Sequence, residues 1–197
     1  MKKQLLMTFA LFMLAVATGF SQKVKLDSNL DFLKGVKKVK LEYKYDNMAV
    51  GKFKTNDEYV NKKKGEYNKK ESGKGDDWAK KWVDDRSARY QPHFEQTLGE
   101  FCKTIDFDQN NSSDITMIVE TLFTEPGYNI EISRKSASIN LLITFQDKSG
   151  KKLASMTLDK VPGRDAMGFD YDTGVRIEEA YEKAGKSVGK FISSKVE

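Results

Sequence analysis

The chain has 197 residues, 32% of them charged and 11% aromatic, a composition neither disordered nor fibrous and a length suited to one ordinary domain. A single Cys excludes a disulfide framework, and a single His excludes a histidine-rich metal site. The formal charge of +5 is unevenly spread: residues 34–74 hold thirteen Lys against Glu42, Asp46, Asp57, Glu58, Glu66 and Glu71, a local balance of +7.

Lys2 and Lys3 precede an apolar run, Leu5 to Val16, broken only by Thr8, and small residues follow at Ala17, Gly19 and Ser21. This order predicts a secretory signal peptide over residues 1–21, with cleavage before Gln22. The run falls short of the roughly 20 residues a membrane helix needs, and no later stretch is apolar enough to span a bilayer. No Cys adjoins the cut to accept a lipoprotein anchor. Residues 22–197 are expected to form a single domain in the periplasm or outside the cell. Export disfavours nucleic acid as a partner. So does the absence of Arg from residues 34–74, since Arg gives bidentate phosphate contacts.

Residues 22–35 read as a loose lead-in. Val39, Leu41, Tyr43 and Tyr45 then alternate with Lys38, Lys40, Glu42 and Lys44, a strand with one wet face. Residues 56–71 are polar, with Tyr59, Val60 and Tyr67 as apolar points, and predict a short helix or an ordered surface loop. Trp78, Trp82 and Val83 mark a helix capped by Asp76 or Asp77. Phe94, Leu98, Phe101, Cys102 and Ile105 continue a core-facing stripe beyond Pro92, so residues 76–105 predict two helices, or one kinked at the proline.

Ile115 to Phe123 is apolar on both faces and predicts a central strand. Pro126-Gly127 is a turn, after which Tyr128, Ile130 and Ile132 alternate. Ala137, Ile139, Leu141, Ile143 and Phe145 follow with period two, and Asp147 to Gly150 predicts a hairpin into a returning strand, Leu153 to Val161. Ile177, Tyr181, Ala184, Val188 and Ile192 stripe a terminal helix capped by Asp172 or Thr173. Gly185 and Gly189 within it suggest close packing on the sheet. The resulting expectation is an α+β fold in the order β-α-α-β-β-β-α, with a mostly antiparallel sheet and helices packed on one face.

Catalytic signatures are scarce. His93 is the sole base for a nucleophile, and no serine lies in a G-x-S-x-G elbow. Zinc needs several His or Cys ligands. Asp106, Asp108 and Asn110 open like a calcium loop, but Asn111 replaces its Gly and Met117 its final Glu. No cofactor or metal is expected. Three groups remain as candidate binding residues. The loop 163–174 carries Arg164, Asp165, Asp170 and Asp172 at a helix start. Lys62, Lys63, Lys64, Lys69 and Lys70 form a candidate basic surface. Trp78 and Trp82 are either an aromatic contact or packing anchors.

The strand 114–123, Pro126-Gly127, Arg134, the strand 137–145, Asp147-x-x-Gly150-Lys151 and the terminal helix together resemble small exported α/β domains of unknown function from Gram-negative envelopes. The resemblance covers about 80 residues and implies an envelope location and an α/β sandwich, without catalytic residues. The expected function is that of an exported, non-enzymatic envelope protein binding a partner protein or an envelope component. The alternatives are a carboxylate-dependent hydrolase of an extracellular polymer and a Lys-rich polyanion or lipid-surface binder.

Overall fold

A computed structural model describes residues 23–130, 133–165 and 172–196. The expected signal peptide, 1–21, lies outside them, and so does Asp170. In chain order the strands are β1 (Val24–Leu26), β2 (Lys38–Lys44), β3 (Ala49–Val50), β4 (Asp106–Asp108), β5 (Ile115–Glu125), β6 (Tyr128–Ile130), β7 (Ser133–Lys135), β8 (Ser138–Asp147) and β9 (Lys152–Pro162). The helices are α1 (Asn56–Asn68), α2 (Lys74–Asp85), α3 (Gln91–Phe101) and α4 (Thr173–Val196). Among the described residues, no helix is long and apolar enough to cross a membrane.

The α+β class stands, but the sheet is mixed rather than mostly antiparallel. Its order is β1-β9-β8-β5-β2-β4, with β3 also beside β5. Strands β5, β8 and β9 form the antiparallel meander, joined by the hairpin at Asp147 to Gly150. Strands β2 and β3 instead run parallel to β5, and β2 is parallel to β4. The cause is the connection. All of α1, α2 and α3 intervene between β3 and β4, and such a crossover carries the chain back to the end of the sheet where β2 began, so the next strands run parallel to it. The expected element order also lacked β1, β3, β4 and a third helix before the meander. The segment after Pro126-Gly127 is a separate two-stranded hairpin, β6 with β7.

Strand β8 shows the alternation that its sequence predicts. Ile139, Leu141, Ile143 and Phe145 are buried, while Asn140, Leu142, Thr144 and Gln146 are half-exposed. Helices α3 and α4 pack on the buried face. Tyr43 of β2 meets the edge of Phe94, and Tyr181 shares a 2.6 Å hydrogen bond with Thr121 of β5. The predicted stripe of α4 is wholly buried: Ile177, Tyr181, Ala184, Val188 and Ile192. Its glycines face α3 rather than the sheet. A Cβ at Gly185 would lie 2.2 Å from the Phe94 carbonyl, and one at Gly189 would lie 2.7 Å from that of Leu98. The two backbones touch, and the Thr97 hydroxyl donates to the Glu182 carbonyl at 2.8 Å.

Residues 56–71 resolve into helix α1, capped by Thr55, whose hydroxyl accepts the Glu58 N–H. Residues 74–101 are helical throughout, but Arg86–Tyr90 widens into a π turn in which the Gln91 N–H donates to the Arg86 carbonyl. Pro92 follows at once. It has no N–H, and its ring crowds the carbonyl four residues back, so the wide turn absorbs the break.

Candidate functional site

Helix α2 places Trp78 and Trp82 one turn apart, with rings stacked at 5.7 Å and 22°. Both pack on Tyr59 of α1, and Trp78 also meets Tyr67. Trp82 is buried, and its indole N–H donates to Asn56 Oδ1 at 2.8 Å. The pair therefore anchors α2 to α1. It also walls a cleft of about 40 Å³, whose other lining residues are Lys81 and Asp85 of α2 and Asp172, Thr173 and Gly174 at the start of α4.

The cleft exists because α4 starts hard against α2. Asp172 accepts the Gly174 N–H at 2.9 Å and so caps the helix. Lys81 Nζ lies 3.0 Å and Arg89 Nη2 3.2 Å from Asp172 Oδ2. Arg89, carried by the π turn, also donates from Nε to Asp85 Oδ1 at 3.1 Å and comes within 3.8 Å of Glu178. Glu178 in turn meets His93 Nε2 at 3.1 Å. One guanidinium thus joins three carboxylates from two helices.

The two cleft carboxylates are driven apart electrostatically. Burial raises the Asp85 carboxyl, and the charges of Asp172 and Glu178 add to that, against the pull of Arg89 and Lys81. Burial also works to raise Asp172. There the Lys81 hydrogen bond, the Arg89 and Lys81 charges and the Gly174 N–H prevail, and the carboxyl sits below its ordinary range. Among the described residues, no three His, Cys, Asp or Glu side chains are grouped to hold a metal ion. Where acids do gather, Arg89 supplies the positive charge.

Of the loop residues expected to act together, Asp172 reaches the cleft. Arg164 and Asp165 do not line it. Arg164 pairs with Glu179 at 3.0 Å, and Asp165 accepts from the Ser136 hydroxyl. Asp170 lies outside the described residues. The lysines of α1 are largely engaged: Lys62 and Lys63 with Glu66, and Lys64 with Asp76. Lys63 and Lys70 each stand 5.8 Å from the Tyr67 ring centre, and Lys69 is exposed at the helix end. Lys81, Asp85, Arg89 and Glu178 were absent from the sequence-based candidates. A signal for Asp85 was present, because it prolongs the Trp78–Trp82 stripe by one turn, and a carboxylate at a core-facing position asks for a partner.

No protein-family model matches the chain, and no curated protein matches it. The solved structures that align with it include the PelC dodecamer from Paraburkholderia phytofirmans and a single-residue variant of that dodecamer. The first covers 84% of this chain and 96% of PelC, with 11% identity and a TM-score of 0.40. The second covers 84% and 95%, with 11% identity and a TM-score of 0.38.

Proposed function

We propose that this chain is an exported, non-enzymatic envelope protein that binds a partner protein or envelope component through the cleft between α2 and α4. The observation that carries the reading is the state of the cleft's charged groups. Asp172 is held by Lys81, Arg89 and a backbone N–H, and Asp85 is held by Arg89. A hydrolytic pair needs one carboxyl free to give a proton and another free to attack or to activate water. Here both are spent on structure, which favours recognition over hydrolysis. Size supports the same reading. Pockets that enclose a whole small molecule measure about 300–1,000 Å³, whereas about 40 Å³ receives a single side chain or a comparable group.

The test is a photo-crosslinking amino acid at position 81, whose Lys side chain is 54% exposed at the cleft rim. In cells, the expected result is one discrete adduct that disappears in a Trp78→Ala background that remains folded. No adduct, or one indifferent to Trp78, would remove the reading.

A further inference from the structure

The lysines expected to form the basic surface lie largely in ion pairs, but those near the end of α4 do not. Lys186, Lys190 and Lys195 are exposed, as is Lys103 just past α3. Among the described residues, none of the four has a carboxylate within ion-pair distance, although Glu182 sits one turn before Lys186 and Glu100 is close to Lys103 in the chain. The ammonium groups stand over aromatic rings instead. Lys186 and Lys190 each lie 5.0 Å from the centre of Phe101, and Lys195 lies 5.6 Å from that of Phe191. Both rings are half-exposed. From residue 183 to 196 the helix has four Lys and no Asp or Glu.

The helix dipole favours cations at a C-terminus, but its effect fades within the last turn. Lys195 is inside that turn. Lys190 and Lys186 are one and two turns further back, so the dipole does not explain them.

We propose that this face, Phe101 with Lys186 and Lys190, which lie one turn apart on α4 over the same ring, docks the protein onto an anionic lipid surface. Lysine is a compact point charge on a flexible stem, and it reaches headgroup phosphates while its methylenes and a nearby ring rest at the acyl boundary. Free polyanion chains are better gripped by Arg in a groove that tracks the chain. This face is a helix surface, and it carries no Arg. It occupies the opposite half of α4 from Asp172 and Gly174, so it stands or falls independently of the cleft.

The test is co-sedimentation with phosphatidylcholine vesicles, with and without phosphatidylglycerol, at low and high salt. The expected result is binding only to the anionic vesicles, weakened by salt. Lys186→Gln with Lys190→Gln should weaken it about twenty-fivefold, taking about fivefold per lysine near a charged bilayer. Lys62→Gln with Lys63→Gln, on α1, should leave it unchanged. Circular dichroism confirms that both variants are folded. Failure to bind anionic vesicles at low salt would overturn the proposal, as would equal binding to neutral ones. Equal loss in the α1 variant would do the same. Binding to soluble polyphosphate without sedimentation on vesicles would assign the face to a free polyanion and equally overturn it.

Discussion

Gly174 and Asp85 leave no room for a side chain between them: a Cβ on residue 174 would lie 2.3 Å from Asp85 Oδ2 and 3.0 Å from Asp172 Oδ1. The first turn of α4 therefore sits directly against a buried carboxylate of α2. Gly174→Ala must displace the Asp85 carboxylate from its place beside Arg89 or move one of the two helices, and it should destabilise the fold by about 1–3 kcal/mol. A lowered urea midpoint at constant slope checks this. Gly99→Ala is the control, because Gly99 lies within α3 with open space where a Cβ would go. It should be neutral, or stabilising by up to about 1 kcal/mol.

Asp172 should make stability depend on pH in a definite direction. Its folded carboxyl titrates below the usual range, because the Lys81 and Arg89 contacts outweigh burial. Its contribution is then fully present above the unfolded value of about 3.9 and is lost as pH falls through the lower folded value. Asp172→Ala removes the cap and both ionic contacts, and it should cost about 0.5–2 kcal/mol at neutral pH. The gap between wild type and variant should narrow in strong acid. Urea midpoints measured across that range test the sign, and a gap that widened on acidification would contradict it.

Arg89 and Asp85 should behave as a coupled pair. Arg89→Met leaves a buried carboxylate uncompensated, at a cost of about 3–5 kcal/mol. Asp85→Asn in the same chain removes the charge that needed compensation, so the double variant should recover part of the loss. A double-mutant cycle from unfolding data should give a coupling of about 0.5–3 kcal/mol. Simple additivity would mean that the guanidinium is held mainly by Asp172 and Glu178.

The two tryptophans should separate in their roles. Trp82 is 5% exposed and donates to Asn56, so Trp82→Ala should cost about 3–5 kcal/mol in an unfolding measurement. Trp78 is only partly buried at the cleft wall. Trp78→Ala should cost less stability while abolishing the adduct formed from position 81.

Much of the core could be read from periodicity, because each such pattern is local. The stripe of α4 and the alternation of β8 follow from the helix and strand repeats, and both are buried as expected. The Trp pair and Asp172 could be nominated one by one, and they do meet at one cleft. The parallel pairing of β2 with β5 could not be read this way. It depends on where three helices return the chain, which no local repeat encodes. The ion pairs of the α1 lysines were only partly legible, for a related reason. Lys62 and Lys63 have a partner on their own helix in Glu66, but Lys64 is met by Asp76 from α2, across a tertiary contact. Asp85 is a carboxylate on the apolar face, a position to which apolar periodicity gives no weight.

The π turn at Arg86–Tyr90 fixes the rotational phase of everything after it. One helical residue turns the chain by about 100°. Deleting one residue from that turn would remove the extra width that absorbs the break at Pro92 and swing Phe94 and Leu98 away from the sheet and α4. The same deletion would carry Arg89 away from Asp85 and Asp172. At its exposed positions, Ser87 and Ala88, the segment should thus accept substitutions far more readily than any change in length, as a gear accepts wear on a tooth but not the loss of one.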